Sequence, residues 1–424
     1  MARRMSASSS SALIVGGGHG GAQAAIALRQ QGFSGGILII GDEPVLPYER
    51  PPLTKDYLGG EKVFERMLIC PPGFWEDRRI TLLLGRRAEA VDPVGRVLTV
   101  SDGTKISYDS LIWAAGGEPR RLGCDGASLA GVHSIRRLAD TDRILDGLVD
   151  VRRVVVIGGG YVGLEAAATL RKRGKDVAVL EACDRVLARV AGEPVSCFFE
   201  KEHRDRGTIV RTGCSVHRLL GKDGRISAVQ LENGEVLAAD LVLVGIGISP
   251  SVEPLAGAGA EMRNGVLVDE YCRTSLPGIY AIGDCAVHRN RFAGGEIIRL
   301  ESVQNANDQA NVAVAHILGQ ARTYAATPWF WSNQFDLKLQ TVGLSVGHDD
   351  HVVRGRPEDR SFSVVYLQEG RVIALDCINA ARDFVQGRKL VEAGSRPDRA
   401  ALADAGVELK KLASTDVLED QATG

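Results

Sequence analysis

Two copies of one glycine-rich turn constrain this sequence more than any other feature. The first copy, residues 16–21 (GGGHGG), follows the apolar segment 12–15, and the second copy, residues 158–163 (GGGYVG), follows the apolar segment 154–157. A helix of small residues is predicted to begin at the third glycine of each copy, and a further apolar strand follows it, at 37–40 in the first copy and at 177–180 in the second. Because three spaced glycines also arise by chance in a chain with 50 glycines among 424 residues, the prediction of two dinucleotide-binding units depends on this repeated context.

The glycines of each copy have distinct physical roles. The first permits the tight turn, the second lets the backbone approach a pyrophosphate, and the third lets the helix pack closely against the strand. The residues in these roles are Gly16, Gly18 and Gly21 in the first copy and Gly158, Gly160 and Gly163 in the second. The amides and the dipole at each helix N-terminus attract the negative charge. Acids after the second strand, Asp42 and Glu43 in the first copy and Glu181 in the second, are expected to bind a ribose diol.

Length and charge limit the classes of protein to which this chain can belong. At 424 residues it is too long for one small core, and two or three domains are expected. The formal net charge of -2 provides no basic field for nucleic acid or for an anionic membrane surface. No segment approaches the roughly 18 continuous apolar residues that a membrane span requires. The eight cysteines form no Cys-x-x-Cys pair, so we predict reduced thiols and a cytoplasmic location.

Three smaller features concern the ends of the chain and a histidine pair. Residues 1–11 are basic and serine-rich and are predicted to be a disordered leader, and residues 413–424 are predicted to be a flexible tail. His348 and His351 have a spacing that a metal site can use, but no further ligands accompany them. We therefore predict no metal site and place both histidines in a loop.

Further motifs identify a family. The segment 50–55 (RPPLTK), the pair Gly283-Asp284 and the segment 328–332 (PWFWS), together with both glycine turns, resemble the FAD-dependent pyridine nucleotide reductases. Within them the chain looks most like the NADH-dependent ferredoxin reductases of bacterial oxygenase systems, with apoptosis-inducing factor a structural cousin. The resemblance extends over residues 12–412, and Thr54 stands where the family usually has serine.

The resemblance implies an α/β fold of two Rossmann-like domains of the glutathione reductase type, one for FAD and one for NAD(P), followed by a C-terminal α+β domain. The FAD domain is discontinuous because the NAD domain is inserted into it. The predicted boundaries are 12–118 and 249–327 for the FAD domain, 119–248 for the NAD domain and 328–412 for the C-terminal domain.

The resemblance also implies two sets of cofactor-binding residues. The FAD set consists of Gly16, Gly18, Gly20, Gly21, Asp42, Glu43, Arg50, Lys55, Ala88, Ala115, Gly116, Arg136, Gly283, Asp284, Ser302, Val303 and Trp331. The NAD set consists of Gly158, Gly160, Tyr161, Val162, Gly163, Glu165, Glu181, Gly245, Ile246 and Gly247. Glu181 favours NADH over NADPH, since a carboxylate repels a 2'-phosphate, whereas Arg185 is a contrary signal.

Three residues are implied in catalysis: Lys55 and Trp331 near the flavin ring and Glu165 toward the nicotinamide carboxamide. We predict that Lys55 and Glu165 form an ion pair across the domain junction, because either charge buried alone would cost about 3 to 5 kcal/mol. The alternative for these two residues is separate, solvated charges, and for Trp331 it is an ordinary core position.

Electrons must leave the flavin without a thiol relay, because the loop 50–55 contains no cysteine. The resemblance therefore implies transfer of hydride from NADH to FAD, followed by transfer of single electrons to a 2Fe-2S ferredoxin that supplies a monooxygenase or dioxygenase. An acidic ferredoxin requires a basic docking face, for which the candidates are Arg289, Arg291, Arg299, Arg382, Arg388 and Lys389. The alternatives are an NADH-sensing interaction module of the apoptosis-inducing-factor type and an NADH:quinone reductase. The protein is expected to be a monomer or a homodimer.

Overall fold

The computed structural model describes residues Ser11–Ala413. The predicted leader and tail therefore lie outside the described residues, apart from one residue of each. Contacts between residues divide the chain into two compact units. Unit 1 contains the described part of Met1–Pro52 together with Lys62–Pro119 and Gly247–Ala326, and unit 2 contains Leu53–Glu61, Arg120–Ile246 and the described part of Thr327–Gly424.

The described residues form strands in all regions of the chain. In order, they are β1 Ser11–Val15, β2 Gly36–Gly41, β3 Ile80–Leu84, β4 Ala88–Asp92, β5 Val97–Val100, β6 Lys105–Ser107, β7 Ser110–Trp113, β8 Gly117–Pro119, β9 Val132–His133, β10 Arg153–Ile157, β11 Asp176–Leu180, β12 Ile209–Arg211, β13 Val216–Lys222, β14 Arg225–Leu231, β15 Val236–Ala238, β16 Leu241–Val244, β17 Ile248–Pro250, β18 Met262–Arg263, β19 Gly265–Leu267, β20 Ile279–Ala281, β21 Ala286–Arg289, β22 Ile297–Ile298, β23 Trp329–Gln334, β24 Leu337–Gly343, β25 Asp350–Arg356, β26 Ser361–Gln368 and β27 Arg371–Ile378.

The α-helices of the described residues are, in order, α1 His19–Gln30, α2 Asp56–Gly59, α3 Phe74–Asp77, α4 Leu138–Gly147, α5 Tyr161–Lys172, α6 Glu193–Asp205, α7 Glu253–Gly257, α8 Val303–Ile317, α9 Ala381–Ala393 and α10 Arg399–Ala403. None of these helices is both long enough and apolar enough to cross a bilayer.

The central sheet of unit 1 is parallel, with the strand order β20-β7-β1-β2-β3. Successive residues of β1 contribute to two different hydrophobic clusters: Leu13 packs with Trp113, whereas Ile14 packs with Ile39 and Ile112. A strand whose two faces are both buried reads as a continuous apolar run, which explains why the sequence of β1 does not alternate with polar residues.

Unit 2 repeats this arrangement in the parallel sheet β12-β11-β10-β16-β9. It also contains the antiparallel sheet β23-β24-β27-β26-β25 formed by the C-terminal part of the chain. Phe362 and Ile378 of this second sheet belong to the same hydrophobic cluster as Val156 and Phe199. The C-terminal sheet therefore shares its core with the second glycine-turn region.

The predicted strands at 12–15, 37–40, 154–157 and 177–180 are confirmed, each one or two residues longer in the structure. The start of both helices was predicted at the third glycine and was wrong by two residues, because Gly18 and Gly160 are the N-cap residues of α1 and α5. The third glycine of each turn consequently lies in the first helical turn.

Candidate dinucleotide sites and a buried ion pair

The first glycine turn is dictated by close backbone contacts in unit 1. Gly16 has φ of 114°, and a Cβ on it would overlap the carbonyl oxygen of Ala114. A Cβ on Gly21 would overlap the carbonyl oxygen of Gly16 itself. An L side chain is therefore excluded at both positions, by backbone conformation at the first and by contact at both. Ala115 and Gly116, two predicted members of the FAD set, follow Ala114 directly after β7.

The second glycine turn repeats these contacts in unit 2. Gly158 has φ of 109°, and its Cβ would overlap the carbonyl oxygen of Gly245. A Cβ on Gly163 would likewise overlap the carbonyl oxygen of Gly158. Gly160 is different, since a Cβ there would meet no protein atom within 4 Å. The packing of the protein does not require this glycine, which fits a position kept bare for the approach of a phosphate group.

Both helix N-termini fit an anionic ligand. The caps Gly18 and Gly160 provide no side-chain hydrogen bond to the helix amides, and neither α1 nor α5 has an acidic residue in its first turn. Amides left without a side-chain cap, together with the positive end of the helix dipole, are the features that bind a pyrophosphate. The residues present therefore fit one dinucleotide in each unit.

The acid of the second turn has a defined orientation. Glu181 follows β11 directly, and its Oε2 accepts a hydrogen bond from the amide of Gly159 at 2.6 Å, while its Oε1 accepts one from the amide of Cys183 at 2.8 Å. Each carboxylate oxygen retains acceptor capacity for a ribose hydroxyl. Arg185 turns away from this site, because its guanidinium donates to the carbonyl oxygens of Ala188 and Ala191 and to Ser196.

The first turn does not place its acid at the same register. Ile40 pairs with Val15 as Leu180 pairs with Ile157, so Gly41 occupies the position that corresponds to Glu181. The acids of the first copy come one and two residues later. The sequence predicts the same ribose-binding role for the acids of both copies, whereas the strand register shows that these acids occupy different positions.

Glu43 belongs to a polar group in unit 1. Its carboxylate accepts hydrogen bonds from Arg50 and from the hydroxyl of Tyr48, each at 2.7 Å. Burial opposes the charged form of Arg50, but the attraction of Tyr48 and Glu43 outweighs it and raises the pKa of the guanidinium above its usual value. Arg50 is therefore a fixed cation, and Gly18 lies close to it, with the position of a Cβ 3.8 Å from Nε.

The remaining members of the predicted FAD set in unit 1 lie at strand and helix ends. Gly283 donates its amide to Oε1 of Gln309 at 2.7 Å, and the Ser302 hydroxyl caps α8 by accepting from the amide of Asn305 at 3.0 Å. Val303 is the first residue of α8, and Ala88 is the buried first residue of β4. Asp284 accepts a hydrogen bond from Arg299 on its main-chain oxygen.

A buried carboxylate with three side-chain donors lies in unit 2. Glu165 of α5 is 4% exposed and forms an ion pair with Lys55 through Oε2. The same oxygen accepts a hydrogen bond from the Thr54 hydroxyl at 2.8 Å, and Oε1 accepts one from Ser332 at 2.7 Å. Thr54 thus supplies a hydroxyl where the family has serine. Ionised carboxylates are stabilised by donors of this kind.

The predicted ion pair of Lys55 and Glu165 is confirmed, but its predicted location was wrong. The segment Leu53–Glu61 belongs to unit 2, so both charges lie within one unit and not across a domain junction. The physical reason is local packing: Thr169 of α5 donates to the carbonyl oxygen of Thr54, and Leu58 is part of the unit 2 core. Arg136 and Trp331 also belong to unit 2.

Other predicted members of the NAD set surround the second turn. Tyr161 begins α5, its ring lies 4.6 Å from that of Phe330, and burial raises the pKa of its hydroxyl well above the usual value. Val162 is exposed, and Gly245 and Ile246 follow β16. Gly247 falls in unit 1.

The cysteine next to the Gly283-Asp284 turn is unsuited to thiol chemistry. Cys285 is fully buried, and burial raises its pKa to about 11. A thiol is a poor nucleophile until it is deprotonated. The cysteines of the described residues are all free, with no disulfide between them.

Two family descriptions match the chain. "Pyridine nucleotide-disulphide oxidoreductase" matches residues 10–316, and "Reductase C-terminal" matches residues 329–413. The chain belongs to the pyridine nucleotide-disulphide oxidoreductase family. This reductase uses FAD and a nicotinamide dinucleotide as cofactors, and the predicted family and α/β fold class are confirmed.

Relatives cover nearly the whole reductase. It is 56% identical over 392 residues to the 5,5'-dehydrodivanillate O-demethylase ferredoxin reductase subunit of Sphingobium sp., covering 92% of this chain and 95% of that protein. It is 58% identical over 373 residues to a ferredoxin–NAD(P)(+) reductase of Sphingomonas sp., covering 88% and 90%. The crystal structure of the covalent putidaredoxin reductase–putidaredoxin complex matches with a TM-score of 0.92 at 37% identity, covering 96% of this chain and 98% of that chain.

The candidate docking residues differ in their exposure. Arg299 has a side chain only 9% exposed and pairs with Glu301 at 2.6 Å, so it does not present its charge to a partner, and we withdraw it. Arg382 pairs with Glu408, and Arg388 pairs with Glu392 at 2.7 Å, which reduces the positive field of both. Arg289, Arg291 and Lys389 are exposed.

The histidine pair was only partly predicted. His348 lies in a loop, but His351 lies in β25, so its predicted loop position was wrong; strand pairing with Tyr366 fixes its backbone. Within Ser11–Ala413 no group of three or more metal-ligating side chains is assembled.

Proposed function

We propose that this reductase oxidises NADH and delivers electrons singly to a 2Fe-2S ferredoxin that serves an oxygenase. FAD, when bound, supplies the chemistry that converts a two-electron donor into a source of single electrons. The observation that carries the proposal is the relation, over 92% of the chain, to a ferredoxin reductase subunit of an O-demethylase. The burial of Cys285 as a protonated thiol supports it, because no thiol relay competes at the Gly283-Asp284 turn.

We propose the following roles for the residues, on the basis of the family resemblance and of the contacts described above. The turn at Gly16 binds the FAD pyrophosphate, the turn at Gly158 binds that of NADH, and Asp284 accepts hydrogen bonds from the ribityl chain. Glu165 receives the nicotinamide carboxamide, with its charge balanced by Lys55. Trp331 would contact the flavin ring, and the ring of Trp329 lies 5.5 Å from its own ring. These residues bind and orient the two cofactors, and no proton donor is required.

We propose NADH as the preferred nucleotide. Glu181 is held by two backbone amides and cannot swing away from an incoming 2'-phosphate without losing both hydrogen bonds. The contrary signal from Arg185 is weakened, since its guanidinium is occupied by carbonyl oxygens.

We also propose the three-domain organisation predicted from the sequence, with the NAD domain at 119–248 inserted into the FAD domain. The changes of unit at Pro119, Ile246 and Ala326 support these boundaries, except that Leu53–Glu61 belongs to unit 2 and is therefore excluded from the FAD domain. A cytoplasmic location is supported by the free cysteines of the described residues.

Anaerobic stopped-flow spectroscopy tests the proposal directly. Mixing the FAD-loaded reductase with NADH should bleach the flavin absorbance within one turnover, and a 2Fe-2S ferredoxin from an oxygenase system should then be reduced catalytically. Ferricyanide serves as a control acceptor that needs no docking. Slow turnover with a long-lived charge-transfer band would favour an NADH sensor, and flavin that NADH fails to bleach would refute the proposal.

A further inference from the structure

A chain of buried hydrogen bonds leads to Glu165 from the C-terminal sheet. Ser332 of β23 donates its hydroxyl hydrogen to Oε1 of Glu165, and Nε2 of Gln334 donates to Oγ of Ser332 at 3.3 Å. Behind them, Nε2 of His203 lies 2.9 Å from Oε1 of Gln334. Glu165 is 4% exposed, and the other three side chains are 0% exposed.

The direction of every hydrogen in this chain is determined. A carboxylate only accepts, so the single hydroxyl hydrogen of Ser332 points to Glu165, and its lone pair accepts from Gln334. The amide of Gln334 therefore presents its oxygen to His203, whose Nε2 carries the hydrogen. Burial lowers the pKa of His203 to about 4, so the ring is neutral at pH 7. All three donors thus point toward Glu165.

Stability alone does not explain this chain. With its hydrogen on Nε2, His203 has an acceptor at Nδ1, and this buried atom has no hydrogen-bond partner among the described residues. A buried polar atom without a partner is costly, and an apolar residue of similar shape would avoid that cost. What distinguishes this chain of hydrogen bonds is that all of its donors point toward Glu165.

The geometry holds the carboxylate from two sides. Thr54 and Lys55 donate to Oε2, whereas Ser332 donates to Oε1. Ser332 and Gln334 are two residues apart on β23, so strand periodicity places both side chains on the same face. Rotation of the carboxylate about its terminal bond would break the contact with Ser332.

We propose that Ser332, oriented by Gln334 and His203, is a positioning residue that fixes the plane of the Glu165 carboxylate for the nicotinamide. This inference rests on the proposed role of Glu165 in binding NADH. It assigns the C-terminal sheet a part in the reductive half of the reaction.

The test compares flavin reduction by NADH in Ser332→Ala with that in Ser363→Ala. Ser363 is a matched control, because it is also a fully buried serine of the C-terminal sheet, and it donates to a different carboxylate, Asp383, at 3.0 Å. We expect Ser332→Ala to reduce the limiting rate at pH 7 roughly tenfold, as for loss of one hydrogen bond to a charged group. Flavin reduction by dithionite, which does not need the nicotinamide or Glu165, should keep its wild-type rate in this variant. Ser363→Ala should change neither.

Further variants separate hydrogen bonding from packing. Ser332→Cys preserves the volume but provides a weak donor, so it should behave like Ser332→Ala. A wild-type limiting rate with NADH in Ser332→Cys would overturn the inference, as would a wild-type limiting rate in Ser332→Ala.

If Ser332→Ala does not retain FAD, Gln334→Met decides. A reduced limiting rate with NADH in this variant, with an unchanged rate with dithionite, supports the chain, and a wild-type rate with NADH overturns it. Failure of NADH to bleach the wild-type flavin would be a distinct result, since it would refute the proposed function before any variant is compared.

Discussion

The carboxylate of Glu181 accepts a hydrogen bond from the amide of Gly159, the glycine between the first two fixed glycines of the second turn. A Cβ on Gly159 would lie 3.1 Å from the same carboxylate oxygen, so the turn and the acid fit together with little spare room. The acid that we propose to select the nucleotide is thus anchored to the turn that we propose to bind its phosphates.

This anchoring predicts a change of nucleotide preference in Glu181→Gln. The variant retains the size of the side chain but removes the charge that repels a 2'-phosphate. We expect the ratio of kcat/KM for NADH to that for NADPH to fall at least roughly tenfold, equivalent to about 1.4 kcal/mol. Steady-state kinetics with ferricyanide measure the ratio, with the exposed acid variant Asp146→Asn as control. An unchanged ratio would remove Glu181 from specificity.

The buried ion pair predicts non-additive stability. Lys55→Met and Glu165→Gln should each destabilise the protein by about 3 kcal/mol, because each leaves a poorly solvated partner, and the double variant should lose much less than the sum. Denaturant unfolding followed by circular dichroism gives the cycle. Arg86→Met is the control, since the Arg86–Asp102 pair is exposed at 41% on both sides, and it should leave the midpoint nearly unchanged. Strict additivity for Lys55 and Glu165 would contradict the pairing.

Arg50 predicts an effect on flavin retention. Arg50→Met leaves Glu43 without its cation at 2.7 Å, and we expect the FAD dissociation constant to rise roughly tenfold, equivalent to about 1.4 kcal/mol. Flavin fluorescence on dilution measures release. The exposed Arg66→Met in the same unit is the control and should bind FAD as the wild type does. Equal retention in both variants would show that Arg50 has no part in holding the flavin.

Asp376 predicts a pH dependence of stability. Burial raises its pKa to about 7, although the Tyr366 hydroxyl donates to it at 2.6 Å. The folded state then binds more protons than the unfolded state between about pH 4 and 7, so wild-type stability falls as pH rises through this window. Asp376→Asn does not titrate and should gain relative to wild type by up to roughly 4 kcal/mol above pH 7.

Thermal unfolding at pH 5, 6, 7 and 8 measures that gain. Asp349→Asn, an exposed acid of the same region, is the control and should follow the wild-type curve. A constant difference between Asp376→Asn and wild type at all four values would exclude the shifted titration.

The exposed arginines of unit 1 predict a salt-dependent docking defect. Arg289 is fixed by donating to the carbonyl oxygen of Gly295 at 2.6 Å, and Arg291 lies over the ring of Phe292. Reversing both to glutamate should raise KM for ferredoxin roughly tenfold at low ionic strength and less at 0.5 M salt, with ferricyanide reduction unaffected. The exposed Arg263→Glu is the control. Equal KM values for the two variants would exclude this docking site.

Local rules allowed much of the fold to be predicted from sequence. The glycines at 16 and 158 indicate tight turns, because a φ near 110° is readily adopted only by glycine. The flanking apolar runs indicate parallel strands. The surroundings of Glu165 were harder to predict from the sequence. In sequence, Ser332 and Gln334 look like ordinary polar strand residues. Their proposed role in positioning Glu165 depends on the packing of β23 on α5, which buries them. The polar residues 332–334 are consecutive and do not alternate with apolar ones, so the sequence of this strand gave no signal that Ser332 and Gln334 are buried.

Tertiary contacts also explain why the predictions for Lys55 and Arg299 were wrong. In sequence, Lys55 follows closely on residues of unit 1. The contacts of Thr54 and Leu58 nevertheless assign it to unit 2. Arg299 looks like a surface charge in sequence, and only its contacts with Glu301 and Asp284 show that it is nearly buried. No periodicity in sequence encodes the contact of Thr169 with Thr54 or that of Arg299 with Asp284.

The order of strands in the central sheet of unit 1 has a consequence for biosynthesis. Its edge strand β20 pairs with β7, yet all of Arg120–Ile246 separates the two in the chain. A ribosome therefore produces the whole inserted region before this sheet can be completed. Nascent chains that end before Ile279 should display an unpaired β7 edge, where chaperones would find a target and where truncated products would aggregate.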